Sequence, residues 1–584
     1  MTATVLHPRD LLGCEHRLFL DVTHPQRLLD RPDTPETTRR KEAAATHRER
    51  VRNVLRAIHS DESAAFVCID GPSHAARVDA TLRACADEVR WIWNAALPTD
   101  AVRGRRGHAE LLVWVGEPGT PTGGYVPVIV VNHRTTNPVP AQRVRLRSRL
   151  GGDESPKLIT TPLWRWIPAP DPFRSNRSNK RDQLRLAQLT HMLTDLDLAP
   201  RVPESELVAG VIGLDADCIV VHPVGAALPR YREIFARRQA VAGGHVATGP
   251  RRVGECRDCR WWSSCEPELV SRRDVSLVVG GNQNEALRKA GITTIDQLAR
   301  HDGTPPRDWP SGIRFDDAVV AAIAWRSDIP LVRRIERPRV VRADIEVDVD
   351  MESFGEDGAY LWGTLLTDRT DSERQVRYRP FVTWQPLPTV DEARSFAQFW
   401  SWLTAQRASA RRAGKTFAAY CYSEQAENRW LLGSADRFAG LPGIPTRTEV
   451  EEFIASPEWV DIYAAVDANF VCPHGKGLKR VAPVAGFGWR DPEAGGEASM
   501  QWYRAAVGLG GRQLDHSQRR RLLEYNEDDV RATKVLREWM DGEAVIADVP
   551  FEADLMAFRL SDPGGSKRVQ EGSAAQQGDR TEQE

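Results

Sequence analysis

Two hydrophobic patterns alternate along the chain. Short apolar runs typical of buried strands are separated by segments in which apolar residues recur every three or four positions, as on one face of a helix. In the N-terminal half, RKEAAATHRERVRNVLRAIHS is typical of a helix, whereas AELLVWVG, YVPVIVVNH, LVAGVIGL and CIVVHPV are typical of strands. Because 584 residues exceed what one core can organise, the pattern predicts an α/β protein with several domains.

Changes in this pattern divide the chain into four predicted segments. Residues 1–272 form a first α/β region that ends after a group of cysteines, and residues 273–335 combine short helical segments with glycine and proline breaks. Residues 336–547 form a second α/β region. The chain ends in the polar run GGSKRVQEGSAAQQGDRTEQE, which lacks aromatic residues, and residues 548–584 are therefore predicted to be a disordered tail.

The segment RADIEVDVDMES places an acid at every second position of a predicted strand. Its acids are Asp344, Glu346, Asp348, Asp350 and Glu352. Alternate side chains of a strand share one face, so these carboxylates would line one side of the strand and repel each other. Because an unpaired buried charge is costly, the pattern indicates either a solvated face or a bound cation.

Two later segments carry further candidate acids. KTFAAYCYSEQAENRW is typical of a strand followed by a helix, with Glu427 in the first turns of that helix. RRRLLEYNEDDVRATKVLREWM has the apolar stripe of a helix. Tyr525 and Asp529 lie four residues apart in it and therefore share a face.

The segments DME, SEQAE and YNEDD resemble, in this order, the three motifs of the DnaQ-like (DEDD) exonucleases of the RNase H-like fold. The resemblance implies a two-metal site for Mg²⁺ or Mn²⁺, with cations about 4 Å apart that hydrolyse a phosphodiester. It implies that Tyr525 orients or helps to deprotonate the attacking water. The implied metal ligands are Asp350, Glu352, Glu427 and Asp529. The sequence departs from the motifs at Ser423, where Asn is common, and at Glu427, where Asp is usual.

The acidic strand offers more than one metal-binding pair. Asp344 with Glu346, and Asp348 with Asp350, are alternatives to Asp350 with Glu352, which we prefer because the following turn and YLWG space the two strands as in the family. This choice leaves Asp344, Glu346 and Asp348 as a solvated or supporting ladder. An edge strand that carries charges against aggregation is another interpretation, but it does not account for the two later motifs.

Between the second and third motifs, GLKRVA resembles a segment of bacterial RNase H-like nucleases of the YprB type. Lys479 in this segment is a candidate contact for a nucleic-acid phosphate, and a surface lysine is the alternative. Asp461, earlier in the same region, is a candidate for a structural role, such as capping a helix.

Cysteines at 256, 259 and 265 follow a C-x2-C-x5-C spacing, and Cys14 lies far upstream. One early cysteine with a late group of three resembles the four-cysteine motif of the AddB and CRISPR-associated members of the RecB nuclease superfamily. The resemblance implies a [4Fe–4S] cluster held by Cys14, Cys256, Cys259 and Cys265. Zn²⁺ is the alternative, because four thiolates also suit zinc.

The remaining RecB-type motifs are incomplete. His47 lies on the expected helix, but Glu110 stands where an aspartate is expected, and residues 129–131 read Ile-Val-Val where an acid and a lysine belong. Gln188 is present, with His191 nearest the expected tyrosine. We interpret the N-terminal region as a RecB-like (PD-(D/E)XK) nuclease fold with a degenerate catalytic site.

The net charge and the search for targeting signals give little information about the function of the chain. The formal net charge of −2 excludes a global basic footprint, so a nucleic acid would bind local runs such as RVRLRSRL or RSNRSNKRDQLR. No signal peptide pattern and no apolar run of about 18 residues is present. The chain is therefore expected to be cytoplasmic.

Taken together, the motif order resembles the bacterial RecB-like putative nuclease family, with AGITTIDQLA in the middle segment typical of half a helix–hairpin–helix module. The resemblance implies a metal-dependent 3′–5′ exonuclease that acts on DNA or RNA in repair or processing through the C-terminal site. The N-terminal domain is expected to bind nucleic acid, with DNA preferred over RNA. The alternative hypothesis is a non-catalytic nucleic-acid-binding or scaffold protein in which both nuclease sites have decayed.

Overall fold

The computed structural model divides the chain into two compact units, residues 1–267 and 268–584. The described residues are 3–28, 35–60, 65–116, 122–139, 158–177, 179–371, 373, 376–493 and 495–561. The finer division at residues 272, 335 and 547 stays a prediction. The basic run RVRLRSRL lies outside the described residues.

The first unit is built on a mixed sheet with eight described strands in the order β1-β2-β3-β4-β9-β10-β6-β7. Its strands are β1 (Phe66–Cys68), β2 (Trp91–Ala96), β3 (His108–Val115), β4 (Gly124–Val130), β6 (Ile159–Thr161), β7 (Ala169–Pro170), β9 (Val208–Ile212) and β10 (Ile219–Pro223), and β5 (Thr136–Pro138) pairs separately with β8 (Arg174–Asn176). Strand β4 is buried along its whole length, which explains the continuous apolar run read in the sequence.

Helices cover this sheet. They are α1 (Glu15–Thr23), α2 (Pro35–Ile58), α3 (His74–Ala86), α4 (Lys180–Asp195) and α5 (Leu228–Ala242), followed by α6 (Trp262–Ser271). Helix α4 buries Leu184, Leu186, Leu189 and Leu193 against strands β3, β4 and β9, which form the main core of this unit.

The second unit begins with helices and continues with a five-stranded mixed sheet in the order β14-β13-β12-β15-β16. The strands are β11 (Val332–Arg333), β12 (Ile345–Ser353), β13 (Ala359–Asp368), β14 (Arg377–Val382), β15 (Phe417–Cys421), β16 (Trp459–Asp461) and β17 (Phe470–Val471), where β11 pairs with β17 apart from the main sheet. The acidic strand is β12, at the centre, antiparallel to β13 and parallel to β15.

Twelve helices follow α6 in the described part of the second unit. They are α7 (Gly281–Lys289), α8 (Ile295–Ala299), α9 (Phe315–Arg326), α10 (Asp391–Arg412), α11 (Glu424–Arg437), α12 (Arg447–Ile454), α13 (Ile462–Asn469), α14 (Leu478–Val481), α15 (Gly496–Ala506), α16 (His516–Asp541), α17 (Ala544–Asp548) and α18 (Glu552–Ser561). The predicted strand–helix order around Glu427 and the long helix around Tyr525 are confirmed as β15–α11 and α16. Thr294 caps α8 through the amide of Gln297, as the sequence of the middle segment predicts.

The first part of the predicted disordered tail contains a helix. Helix α18 occupies residues that the composition assigns to disorder, and Glu552 at its start accepts a hydrogen bond from Arg314 at 2.8 Å. An ion pair at the helix start and contacts of Met556 with the apolar cluster around α9 give this segment an anchor that composition alone does not reveal.

No helix among the described residues is both long enough and apolar enough to cross a membrane.

Candidate metal centre

The two faces of β12 are covered differently. Ile345, Val347 and Val349 point into the apolar core beneath α10 and α11. The opposite, acidic face lies under α16, which presents Asn526, Asp529, Thr533 and Arg537 along one side at helical spacing. Helix α16 therefore supplies hydrogen-bond partners to Glu346, Asp348 and Asp350.

At the N-terminal end of β12 the carboxylates have arginine partners. The fully buried Arg537 donates to Glu346 at 3.0 Å and to both carboxylate oxygens of Asp348. Arg342 donates to Glu346 at 2.7 and 3.1 Å, and the Tyr420 hydroxyl donates to it at 3.1 Å. Burial raises the pKa of Glu346, but the two arginines outweigh burial and bring its pKa to about 2.

Asp344 has a local role. Its carboxylate accepts hydrogen bonds from the backbone amide and hydroxyl of Thr416, at 2.9 and 2.8 Å, at the start of the neighbouring strand. Of the two alternatives for this ladder, burial excludes the solvated one for Glu346 and Asp348. They are neutralised by Arg342, four residues before Glu346, and by Arg537, which lies far away in the sequence.

At the C-terminal end of β12 three carboxylates meet without an arginine. Oxygen atoms of Asp350, Glu352 and Asp529 all lie within 4.8 Å of one another, and no other group of three such ligand residues was found in the described part of the chain. Glu352 and Asp529 are buried, and Asp350 is partly buried. Their hydrogen-bond donors are neutral: Asn526 to Asp350 at 2.6 Å, Ser499 to Glu352 at 3.3 Å and Trp489 to Asp529 at 2.7 Å.

Glu427 lies in the first turn of α11 and is 4 % exposed. Its Oε2 atom is buried and has no hydrogen-bond partner among the residues that the structure describes. Its charge contributes to the raised pKa of both Asp350 and Glu352, so it lies within electrostatic reach of these two carboxylates. An unpartnered buried carboxylate oxygen is costly unless a cation binds it.

The pKa values of these four acids are all raised above their usual range. Burial, followed by the charge of Asp529, raises the pKa of Glu352 to about 8, and burial raises the pKa of Glu427 to about 8. Burial and the neighbouring carboxylates raise the pKa of Asp350 well above its usual range. The pKa of Asp529 is also raised by burial, although Lys479 and Trp489 oppose that rise.

Tyr525 and Lys479 lie beside these acids. The Lys479 ammonium is 3.2 Å from the Tyr525 hydroxyl and 4.5 Å from the centre of its ring, and it also lies 5.6 Å from the Trp489 ring centre. Burial and the surrounding carboxylates raise the pKa of Tyr525, so its hydroxyl stays protonated. Asp528, next to Asp529, is instead paired with Arg490 at 2.7 Å.

Asn526 is held from both sides. Its amide nitrogen donates to Asp350, and its amide oxygen accepts a 2.7 Å hydrogen bond from the Tyr378 hydroxyl, which fixes the orientation of the amide. A Cβ atom at Gly363 would lie 1.6 Å from the amide oxygen of Asn526. The glycine of YLWG therefore makes room for the residue that contacts Asp350.

The predicted residues of the N-terminal site have structural partners. Arg185 donates to both carboxylate oxygens of Glu110 at 2.8 Å, and the amide of Val130 donates to the same carboxylate at 3.2 Å. The amide nitrogen of Gln188 donates to two backbone carbonyls, and burial lowers the pKa of the buried His47. The Glu110 carboxylate is thus neutralised by Arg185.

Cys14, Cys256, Cys259 and Cys265 line one pocket of the first unit, together with Trp261 and Trp262. In a tetrahedral zinc site with Zn–S bonds near 2.3 Å, the sulfur atoms are about 3.8 Å apart. No three described cysteines bring their Sγ atoms within 4.8 Å of each other. This geometry does not fit a zinc ion bound by three or four of these cysteines, and it gives no support for an iron–sulfur cluster.

A family model described as the RNase_H superfamily matches residues 436–541. The matched segment contains Lys479, Tyr525 and Asp529, whereas Asp350 and Glu352 lie outside it. No curated protein and no solved structure matches the chain. The match identifies an RNase H-like domain in the C-terminal unit and suggests a nuclease-type activity related to nucleic acids.

Sequence reasoning missed four residues of this region. Arg537 and Asn526 lie eleven positions apart on α16, about three full turns, so they share a face. That spacing is a signal that could have been used. Trp489 and Ser499 lie in a loop and on α15, and no pattern in the sequence relates them to the acids that they contact.

Proposed function

We propose that the protein is a metal-dependent phosphodiesterase that cleaves nucleic acid at the C-terminal end of β12. In this proposal Asp350, Glu352, Glu427 and Asp529 hold Mg²⁺ or Mn²⁺, and Tyr525 orients the attacking water. The observation that carries the proposal is the meeting of three carboxylates within 4.8 Å with no arginine beside them. The RNase_H superfamily match to residues 436–541 supports the same class of activity.

The donor set fits a hard divalent cation. All four acids offer oxygen ligands, which Mg²⁺ and Mn²⁺ prefer, and the unpartnered Glu427 oxygen is available as a ligand. A bound cation would remove the repulsion that, together with burial, raises the pKa values of these carboxyl groups. The longer arm of Glu427, relative to the aspartate usual in related motifs, remains compatible with this role.

When bound, the cations would lower the pKa of a coordinated water and stabilise the developing charge on the phosphate. The chain supplies the remaining groups. The Tyr525 hydroxyl stays protonated and can donate to or orient a water, while the Lys479 ammonium beside it can contact a phosphate oxygen. Trp489 donates a hydrogen bond to one oxygen of Asp529 and so orients this carboxylate.

We further propose 3′–5′ exonuclease activity on DNA or RNA. The implied chemistry addresses the phosphate and the sugar, so base sequence should matter little. The support for polarity is the resemblance of the three acidic motifs to the DnaQ-like exonucleases. An end-labelled substrate tests polarity directly.

A nuclease assay on the full chain tests the proposal. Oligonucleotides labelled at the 5′ end or at the 3′ end should be shortened in the presence of Mn²⁺, and Asp529→Ala should abolish this cleavage. The matched control is Glu524→Gln on the exposed side of α16, which should cleave like the wild type. Equal cleavage by wild type and Asp529→Ala would place the activity elsewhere. No cleavage of any substrate would favour the non-catalytic binding protein.

For the N-terminal unit we propose a RecB-like fold that binds nucleic acid without cleaving it. The support is the Arg185 guanidinium, which neutralises Glu110 where a catalytic metal would bind, and the apolar β4 in place of an acid and a lysine. Glu110→Gln should leave any nuclease activity unchanged. A loss of cleavage in a protein that still binds Mn²⁺ would contradict this part of the proposal.

We also retain, as a proposal, a [4Fe–4S] cluster on Cys14, Cys256, Cys259 and Cys265. Its support is the resemblance of their spacing and their common pocket, and not the sulfur distances. Anaerobically purified protein should then contain iron and sulfide and absorb visible light. Cys256→Ser should lose all three properties, whereas the buried Cys85→Ser in the same unit should keep them. Colourless, metal-free protein would exclude the cluster, and zinc without iron would favour the alternative.

A further inference from the structure

Lys479 carries a positive charge beside the candidate metal centre that the fold does not neutralise. Within the described residues, no acid forms an ion pair with Lys479. The arginines of the same region are already paired, since Arg490 contacts Asp528 at 2.7 Å and Arg521 contacts Glu493 at 2.6 Å. An unpaired cation thus lies next to a group of unbalanced carboxylates, and its effect on that group can be worked out.

The backbone of Lys479 is anchored to the helix that carries Asp529. Lys479 lies in the short helix α14, whose Val481 is fully buried. Val481 belongs to the same apolar cluster as Leu536 and Met540 of α16. Because a packed core resists displacement, this contact fixes α14 against α16 and holds Lys479 close to the metal centre.

Two aromatic side chains hold the Lys479 ammonium. It lies 4.5 Å from the ring centre of Tyr525 and 5.6 Å from that of Trp489, within the range of cation–π attraction. The Tyr525 hydroxyl accepts a hydrogen bond from it at 3.2 Å, so the hydroxyl hydrogen points elsewhere. Trp489 in turn donates to Asp529 at 2.7 Å. The same indole therefore contacts both the ammonium and a carboxylate of the metal centre.

The charge of Lys479 acts on three carboxylates of the metal centre. Burial raises the pKa of Asp529, and Lys479 gives the strongest opposing effect. Burial also raises the pKa values of Glu352 and Asp350, and Lys479 opposes the rise there as well. One ammonium does not balance the four carboxylates of the proposed site, so a divalent ion is still required. Because two cations in one site repel each other, that ion has to bind against the charge of Lys479.

We propose that Lys479 is a built-in cation of the metal centre, which weakens the binding of the divalent ion and stabilises the charge that develops on the phosphate during cleavage. An ammonium on a flexible stem can turn from the aromatic rings toward a phosphate oxygen once the substrate is bound. The inference rests on the proposed function. It adds that the site gives up affinity for the metal ion in exchange for stabilisation of the phosphate.

Two measurements on the full chain, with opposite expected changes, test this proposal. Lys479→Met removes the charge and keeps an apolar stem against the two rings. Titration calorimetry without nucleic acid should show that the affinity of this variant for Mn²⁺ rises by about tenfold. Cleavage of the end-labelled oligonucleotides at saturating Mn²⁺ should fall by about a hundredfold. Lys479→Gln, tested alongside, should change both quantities in the same directions.

Two control variants separate charge from structure. Arg480→Met removes a positive charge from the next residue of α14, which is exposed, and should leave both quantities unchanged because water and salt screen that charge. Lys479→Arg keeps the positive charge and should bind Mn²⁺ like the wild type. A purely structural role for Lys479 predicts another pattern, in which Lys479→Met lowers the Mn²⁺ affinity and the cleavage together.

Unchanged or weaker Mn²⁺ binding by Lys479→Met would overturn the inference, and so would undiminished cleavage by this variant at saturating Mn²⁺. Failure of the proposed function gives a different result, because Asp529→Ala would then keep the Mn²⁺ binding and the cleavage of the wild type. If Asp529→Ala loses both and Lys479→Met changes neither, the metal centre is supported and the role of Lys479 is wrong.

Discussion

The two ends of strand β12 carry the same kind of residue in opposite electrostatic surroundings. At one end, Glu346 and Asp348 are fully buried, and Arg537 and Arg342 neutralise them. At the other end, Asp350 and Glu352 meet Asp529 and receive hydrogen bonds from neutral donors only. One helix, α16, supplies an arginine to the first pair and a further carboxylate to the second.

This difference separates buried acids that stabilise the fold from buried acids that are candidates for binding metal ions. A carboxylate whose charge is balanced inside the chain contributes to the fold, because its removal leaves a cation unpaired. A group of carboxylates that the fold leaves unbalanced must be balanced from outside, by protons or by metal ions. Glu110 of the first unit belongs with the balanced acids, since Arg185 neutralises it.

The largest expected effect comes from replacing Arg537, the buried arginine beside Glu346 and Asp348. Arg537→Met should lower the free energy of unfolding by about 3–5 kcal/mol, because Glu346 and Asp348 lose a buried partner. Chemical denaturation measures this loss. Arg531→Met on the same helix removes a partly exposed pair with Glu527 and should cost less than about 1 kcal/mol. Equal losses in the two variants would refute the division of β12 into balanced and unbalanced ends.

Isosteric substitutions of Asp348 and Asp350, two positions apart, should change the stability of the protein in opposite directions. Asp348→Asn should lower the stability by about 1–3 kcal/mol, because Arg537 loses a charged acceptor. Asp350→Asn should raise the stability of the metal-free protein by roughly 1 kcal/mol, because it removes one of several repelling buried charges. Thermal unfolding with and without Mn²⁺ distinguishes the two variants further. Mn²⁺ should stabilise Asp348→Asn as it does the wild type, and should not stabilise Asp350→Asn.

A destabilised Asp350→Asn protein would contradict this interpretation. It would mean that Asp350 has a partner inside the fold that outweighs the repulsion from Glu352 and Asp529.

The sequence predicts much of the second unit because its patterns are local. Alternation over Arg342–Ser353 predicts the acidic strand, and the spacing of Tyr525 and Asp529 predicts that they share a helix face. Both follow from backbone geometry. The same patterns do not predict helix α18, because the contact between Arg314 and Glu552 joins residues 238 positions apart.

The local sequence pattern could not predict which acids have an arginine partner in the fold. Arg537 reaches Glu346 across 191 residues and Arg185 reaches Glu110 across 75, so both pairings depend on how a helix docks onto a sheet. The same holds for the four cysteines: a spacing typical of a cluster brings them to one pocket, but it does not determine the distances between their sulfur atoms.

The unbalanced end should also make stability depend on pH. The folded pKa values of Glu352 and Glu427 are about 8, against 4.5 for an ordinary glutamate. Between these values the unfolded chain has released protons that the folded chain still binds. The metal-free protein should therefore lose stability as the pH rises from about 4.5 to about 8. Glu352→Gln should remove up to about 1.4 kcal/mol per pH unit of that slope.

Mn²⁺ should oppose the same trend, because it replaces the bound protons, and its affinity should rise with pH up to about 8. Thermal melts across this range, with EDTA or with Mn²⁺, provide the measurement. A metal-free protein that gains stability from pH 5 to 8 would show that these carboxylates are already ionised and balanced.

The smallest expected effect concerns Asn526, which orients the Asp350 carboxylate toward the proposed cation. Asn526→Ala removes the 2.6 Å hydrogen bond to Asp350 and should weaken Mn²⁺ binding by about tenfold, as is typical when a residue that orients a metal ligand is lost. Titration calorimetry measures the affinity. Tyr378→Phe is the matched control, because it removes the contact on the far side of the Asn526 amide and should weaken Mn²⁺ binding less. A purely structural role for Asn526 would instead lower the stability of the metal-free protein and leave the Mn²⁺ affinity unchanged.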